Sequence, residues 1–562
     1  MTGLKLALMH RALLVLFLGA CYITSLGQSD DLDPVTRIYA IKNAHIIQAP
    51  GRIIDNGMLV IKNGIITAVG QNIDIPAGAR VIQADSMYVY AGFIDGLSHA
   101  GVPKPKEEDK KNKVKDPGNP PNNIAGIEPQ RDVRDMLDPN DKSVDEIRRL
   151  GFTVSHTVPY GRMLPGKGAI ILLSGDNPDA MVYKQQASLY SQLAGTPGVY
   201  PNTIIGVMAK YRELYRQAEQ AKAYKSLYAQ GANGMERPAS DRILEAFYPV
   251  IAKQIPVAFK AEDVLSIQRV LDLRSQLGFN LVLADVKQGW DIFDKLKSSD
   301  IKLFLSLDLP EMEGQGKSDT IKVDKKEPLK LEADLEKKRL QARKDEVIKK
   351  HYQQPALFSS KGVLFGFSTA EAKSKDIKTN LSKLVENGLS EEAALAALTT
   401  SPANLFGLEA TMGTLDKGKI ANLVISDKSY FNKDSKVIYV FIDGKMFEYR
   451  DKPKTKKAAK VIGKWTYSVE GFQGVNTGDI VIKGEEGNYS GTISSVVTGD
   501  TNDLSAISVN GNQLSFSFTV VFEGSAIEVD IIVTIDENTF EGTMTPGEYG
   551  SFSIEGEKVP EK

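Results

Sequence analysis

From about residue 145 to residue 405 the chain alternates apolar runs of strand length with amphipathic stretches at helical spacing, and on either side the texture is short strands alone. Such alternation predicts parallel βα units around one sheet. Strands are expected at 151–155, 169–173, 281–283, 303–305 and 363–365. Helices are expected over 263–276, where Val264, Leu265, Ile267 and Leu271 recur at three- and four-residue spacing, and near 292–296. The flanks read as strands at 38–41, 44–47, 58–61, 65–69 and 81–82 before the βα region, and at 423–425 and 437–442 after it. Asn63-Gly64, between two of these runs, is a two-residue hairpin signal.

The 562 residues leave room for further units, and 42% apolar with 25% charged residues excludes a mainly disordered chain. A net charge of −2 excludes a generally basic nucleic-acid binder. Residues 461–562 have their own composition: 16 acidic residues against four Lys and no Arg, a net of −12. Their alternating strands and Gly/Asn turns predict a separate all-β domain of about eight strands behind the basic linker 452–460. Gly463-Lys464-Trp465 resembles the opening strand of lipocalin-like barrels, so a closed meander is expected. Two polar stretches, 103–123 and 314–350, read as an exposed loop and a charged segment whose second half is helical and solvated.

Lys5, His10 and Arg11 precede the apolar run 12–20, which has the length of a signal-peptide core and is too short to span a bilayer. Export is expected, with residues 1–27 as the signal. Cleavage after Gly27 would give a periplasmic protein, cleavage before Cys21 a lipid-anchored one, and both stay open. No other apolar run approaches the roughly 18 residues of a membrane span.

Three stretches together resemble the amidohydrolase superfamily, in its exported imidazolonepropionase-like and prolidase-like branch. The first runs from Ile41-Lys-Asn-Ala44 through Ile61-Lys-Asn-Gly-Ile65 and Ile75-Pro-Ala-Gly78 to Ala91-Gly-Phe-Ile-Asp95. The second is Asn387-Gly-Leu-Ser-Glu-Glu-Ala393 with Thr400-Ser-Pro-Ala-Asn404 and Leu405-Phe-Gly-Leu408. The third is Gly413-Thr-Leu-Asp-Lys-Gly-Lys-Ile-Ala-Asn422-Leu-Val424 with Val440-Phe-Ile-Asp-Gly-Lys445. The resemblance implies an α/β fold: a TIM-like (β/α)8 barrel over 92–408 beside a composite β-sandwich from 36–91 and 409–450, with the site at the C-terminal ends of the barrel strands.

At the metal site the sequence departs from the family. The His-x-His expected at the end of strand one reads Leu97-Ser98-His99, so one imidazole of the pair is missing. The family's strand-five His falls near Lys260, its strand-six His near Asp285, and its catalytic strand-eight Asp at Ser368. Of the five histidines, His45 reads as a structural residue of a sandwich strand and His351 as a helix-surface residue. His156 follows a strand and is a candidate substrate contact, as is Lys260. His99 and Asp285 are the candidate metal ligands, and two are too few for a tight site. One cysteine excludes both an internal disulfide and a cysteine zinc site.

The expectation is therefore a protein that keeps the hydrolase fold with impaired metal-dependent chemistry, holding no cofactor or one weakly bound Zn or Mn. Without a metal, water keeps a pKa near about 15.7, and Ser368 cannot accept its proton as a carboxylate would. The alternatives are an active hydrolase of carbon–nitrogen bonds in a small amide or peptide, with a divergent mononuclear site, and a non-catalytic partner of an active relative. No nucleic acid and no transmembrane span are expected; a homo-oligomer or hetero-oligomer is. Gly161-Arg-Met-Leu-Pro-Gly166-Lys167-Gly168 is one residue short of a phosphate-binding loop, but Gly168 cannot hold Mg²⁺ and a strand rather than a helix is expected to follow.

Overall fold

The computed structural model describes residues 38–105, 114–298, 301–312, 328–450 and 461–560, less 472–473, 486–487, 511–512, 523–524 and 548. The expected signal with Cys21 and the linker 452–460 lie outside the described residues. The chain forms two units, Met1–Tyr449 and Arg450–Lys562. Among the described residues no helix is long and apolar enough to cross a membrane.

The flanking strands of the first unit join in one eight-stranded sheet. Leu423–Ser426 pairs antiparallel with Tyr88–Ala91, which pairs in parallel with Ile38–Ala49, so chain segments more than 300 residues apart share a ladder. The sheet curls until its edge strand Ile65–Gly70 meets the C-terminal flank, where Ile65 bridges Ile420. Ile41, Ile46, Leu59, Leu423 and Phe441 fill the space it encloses.

Between the flanks, eight strands form the barrel: β1 Phe93–Ser98, β2 Phe152–Thr157, β3 Gly166–Leu172, β4 Val182–Gln192, β5 Val257–Lys260, β6 Leu281–Val286, β7 Lys302–Ser306 and β8 Phe365–Ser368. They lie side by side in chain order. The helices are most regular in the second half. Val264–Leu277 is capped by Asp263, whose side chain accepts from Ser266 N, and it ends at Gly278 in a left-handed conformation. Its Ile267, Val270, Leu271 and Leu277 face the sheet side of the core.

One strand departs from the all-parallel reading. β3 runs antiparallel to both β2 and β4, and it follows β2 through a short loop instead of a helix. Two apolar strands joined by few residues can only pair antiparallel, since a parallel pair needs a crossover of a dozen or more residues. The Gly-rich stretch 161–168 opens β3, so it lacks the following helix of a phosphate-binding loop.

Below the mouth the barrel is solid. Leu97, Val158, Tyr190, Ala258, Val282, Ala284, Phe304 and Leu405 form one buried cluster inside it. Gly96 is required by this packing: a Cβ there would lie 1.9 Å from the Phe304 ring.

The second unit is a nine-stranded antiparallel meander, one strand more than expected. Its first strand, Gly463–Gly471, pairs with its last, Phe552–Lys558. The edge strands of the ladder, Thr501–Asp503 and Ser505–Asn510, are consecutive in the chain. Trp465 is buried in its core, donates Nε1–H to Val461 O (2.9 Å) and lies under the Lys558 ammonium at 5.2 Å.

Candidate active site

The C-terminal ends of β1, β5, β6 and β8 bring His99, Lys260, Asp285 and Ser368 to one mouth, above Leu97. Leu97, at the first position of the expected imidazole pair, is wholly buried in the barrel interior and offers no donor. His99 donates Nδ1–H to Val158 O at 2.8 Å, which leaves the lone pair on Nε2. Its ring stacks on Tyr160 with centroids 3.9 Å apart. Burial pulls the His99 pKa down to about 4, against the carbonyl of Val158 and the charge of Glu371, so the imidazole is neutral at physiological pH.

Asp285 is the unusual residue of the mouth. The β6–β7 ladder shifts register between Leu283 and Val286, and Asp285 takes a left-handed backbone with φ of +58°. A non-glycine residue in this region costs about 1–3 kcal/mol and persists only where its surroundings enforce it. The side chain is fully buried. Ser368 Oγ lies 3.0 Å from Asp285 Oδ1 and 3.1 Å from Leu97 O, two acceptors for one hydroxyl proton. Among the described residues Asp285 Oδ2 has no hydrogen-bond partner. Burial raises the Asp285 pKa, opposed by the Ser306 hydroxyl, the charges of Lys260 and Lys287, and Ser368.

Lys260 stands at the centre of the charges. Its Nζ lies 2.5 Å from Glu371 Oε1, 3.8 Å from Glu262 Oε1 and 4.0 Å from Asp285 Oδ2. Lys287 continues the network, with Nζ 2.9 Å from Glu262 Oε1 and 2.6 Å from Asp308 Oδ2. Burial alone would lower the Lys287 pKa, but its hydrogen bonds to Asp308 and Glu262 outweigh it and raise the value. Burial alone would raise Glu371, yet the hydrogen bond and charge of Lys260, with His99 and Lys287, hold it below its usual value. Two ammonium groups are thus spread over four carboxylates.

Two histidines differ from their expected settings. His156 does not reach the mouth as a substrate contact: it is 1% exposed, its Nδ1–H donates to Gly96 O at 3.1 Å, and its Nε2 accepts from Ser188 Oγ at 2.8 Å. One residue of strand alternation decides this, since β2 runs on to Thr157 and turns His156 into the barrel. His351 is half-buried instead of lying free on a helix surface; its Nδ1–H donates to Lys287 O at 2.9 Å and its ring meets Trp290 edge-on. His45 pairs with Asp55 and packs on Tyr88 in the flanking sheet, a structural setting.

Glu262, Lys287, Asp308 and Glu371 were not singled out by sequence as mouth residues. Each lies one to three residues beyond the end of β5, β6, β7 or β8, the position from which such barrels build their sites, and that placement is the signal that could have found them. Asp95 was also missed. It sits inside β1, fully buried, and accepts from Leu97 N (3.2 Å) and Thr369 N (3.1 Å), with the Thr369 hydroxyl on its other oxygen. Thr369 N also donates to Leu97 O at 3.1 Å, so this cluster closes the barrel between β8 and β1.

The donor set does not fit a divalent ion. A protein zinc site needs three or four neutral nitrogen or anionic oxygen and sulfur donors around one point. Here an ammonium occupies the space between the carboxylates, and among the described residues no three His, Cys, Asp or Glu side chains converge closely enough to hold a metal.

Residues 316–447 match the Amidohydrolase family. No curated protein matches the sequence. Among solved structures, an amidohydrolase from Thermotoga maritima MSB8 is similar in fold, with a TM-score of 0.59 and 21% identity, covering 73% of this chain and all of that one. A Xaa-Pro dipeptidase with methionine bound in its active site is more distant, with a TM-score of 0.41 and 16% identity over 73% of this chain and all of that one. Residues 316–447 are thus similar in sequence to the Amidohydrolase family, and the N-terminal unit is similar in fold to a solved amidohydrolase.

Proposed function

We propose that this is an exported amidohydrolase-type protein whose metal-dependent hydrolysis is lost or strongly impaired. The observation that carries the reading is the Lys260 ammonium, held by Glu371, Glu262 and Asp285 where a hydrolase of this kind would need an electrophilic centre. Ser368 adds to it: buried and hydrogen-bonded to Leu97 O and Asp285, it offers no base to a water molecule. The mouth retains polar and aromatic groups, including Tyr160, suited to holding a small amide or peptide without cleaving it. Export rests on the apolar run 12–20, with the periplasm or a Cys21 lipid anchor as the destination.

A second reading, an active hydrolase with a divergent mononuclear site, is favoured by the unpartnered Asp285 Oδ2 and the lone pair on His99 Nε2. Incubation with Xaa-Pro dipeptides and N-acyl amino acids, with Zn or Mn supplied, separates the two. The proposal expects no hydrolysis above that of heat-denatured protein. Turnover that disappears in an Asp285→Ala variant would overturn it in favour of the second reading.

A further inference from the structure

We propose that a cleft of the first unit, on the side where β2 begins and away from the strand ends that form the mouth, binds a small tetrahedral oxyanion of the phosphate or sulfate type. The cleft has a volume of about 250 Å³ and is bounded by three parts of the chain. Arg149 stands just before β2, Lys378 lies on the helix Ser374–Glu386 that follows β8, and Tyr430, Ser435, Lys436 and Tyr449 belong to the C-terminal flank. The volume is below the about 300–1,000 Å³ of sites for drug-sized ligands and equals that of several waters at about 30 Å³ each, which suits an ion better than a large organic molecule.

Two observations carry the inference. The first is the charge of the lining, which has three cationic side chains and, among the described residues, no carboxylate. The second is the setting of Lys378. Its ammonium is half-buried and donates to Ser435 O and to Ser435 Oγ (3.0 Å), both neutral. Among the described residues no carboxylate pairs with it; Asp427 and Asp434 act on it only through space, and Asp427 accepts from the Lys436 N–H at 2.7 Å. Burial lowers the Lys378 pKa in spite of both acids. A partly desolvated ammonium with neutral partners alone is stabilised by an anion beside it, and with Ser435 taking two of its three N–H groups one is left to donate.

Arg149 supplies the complementary geometry. Asp145 engages its Nε at 2.6 Å, which leaves the planar fork of Nη1 and Nη2 for an acceptor, and such a fork matches two oxygens of an oxyanion. The walls are braced without a ligand: Tyr430 donates its hydroxyl to Leu150 O at 2.8 Å, Tyr449 donates to Asp145 Oδ1 at 3.0 Å, and Ser435 Oγ donates to Tyr430 O at 3.1 Å. A site fixed in advance loses little of its binding free energy to ordering. A bound oxyanion would tie the helix before β2, the helix after β8 and the C-terminal flank together, whatever happens at the mouth.

The test is equilibrium dialysis of the full-length chain against radiolabelled phosphate, with ionic strength held constant by sodium chloride and sulfate as competitor. Wild type is expected to bind one phosphate per chain, saturably, and to release it to sulfate; the ratio of the two affinities tells which anion the cleft prefers. Lys378→Gln removes the charge, keeps an N–H for Ser435 and should weaken binding about tenfold or more. Lys375→Gln removes the same charge from an exposed position of the same helix and should leave binding unchanged. Thermal unfolding followed by circular dichroism verifies that each variant is folded, with Arg149→Gln as the replacement if Lys378→Gln is not. Absence of saturable phosphate and sulfate binding in wild type would overturn the proposal, and so would equal weakening by Lys378→Gln and Lys375→Gln, which would mean general surface attraction.

Discussion

Asp95 and Asp285 are both wholly buried at barrel strands, and burial raises the pKa of both, yet their surroundings differ. Asp95 has donors on both oxygens, supplied by Leu97 and Thr369 across the β1–β8 seam. Asp285 shares the Ser368 hydroxyl with a backbone carbonyl, and among the described residues its Oδ2 accepts no hydrogen bond although an ammonium stands beside it. A buried acid with donors on both oxygens holds the fold together. A buried acid left partly unengaged, on a strained backbone, is the kind of group a site retains at a cost to stability.

The largest expected effect that could break this comparison concerns pH. Burial brings the Asp95 pKa up to about 7, although the Thr369 and Leu97 donors pull it down. Its unfolded value is about 3.9. The folded chain therefore binds the proton more tightly, so the contribution to stability is complete below about pH 4 and is lost as pH rises to about 7. Three pKa units correspond to about 4 kcal/mol. His99 and His156, both lowered to about 4 by burial, act in the opposite sense: their contribution is present above about pH 6.5 and lost as pH falls towards 4. Asp95→Asn isolates the first contribution, because the amide keeps an acceptor for Leu97 N and a donor for Thr369 Oγ. In urea titrations the stability of Asp95→Asn relative to wild type should rise steadily from pH 4 to pH 8, and a flat difference would contradict the account.

Next in size is the cost of orphaning the seam. At pH 5, Asp95→Ala should lose about 3 kcal/mol, because buried donors on Leu97 and Thr369 lose their acceptor. The smallest effect is expected at the mouth. Asp285→Asn keeps an acceptor for Ser368, removes a buried acid, and places an amide residue in a left-handed conformation that Asn tolerates well, so its stability should stay within about 1 kcal/mol of wild type. If Asp285→Asn costs as much as Asp95→Ala, the two aspartates are structural alike and the distinction fails.

Much of the architecture was legible in the chain because it rests on periodicity. The run Leu281–Val286 is apolar except for Asp285, and a polar residue at the end of a buried strand is where a barrel presents its chemistry. The resemblance to the family, not periodicity, singled out Lys260, Asp285 and Ser368, and they lie at or near the ends of β5, β6 and β8. Direction was not legible in the same way. β3 reads as a buried strand whether it runs parallel or antiparallel, and only the short connection after Thr157 decides it. Glu262, Lys287, Asp308 and Glu371 lie on loops, where no repeat marks a residue as facing the mouth. Glu371 and Lys260 are 111 residues apart, and their pairing follows from barrel closure, not from either segment alone. His156 shows the converse limit, since a shift of one residue separates a mouth position from an interior one.

The central claim is that an ammonium has taken the place of a metal, and the metal content of the purified wild-type protein tests it most directly. After expression in medium supplemented with Zn and Mn, and dialysis against metal-free buffer, elemental analysis should find well under one equivalent of any divalent ion per chain. One equivalent of zinc or manganese retained through dialysis would contradict the account and return Asp285 and His99 to the role of ligands in a working hydrolase.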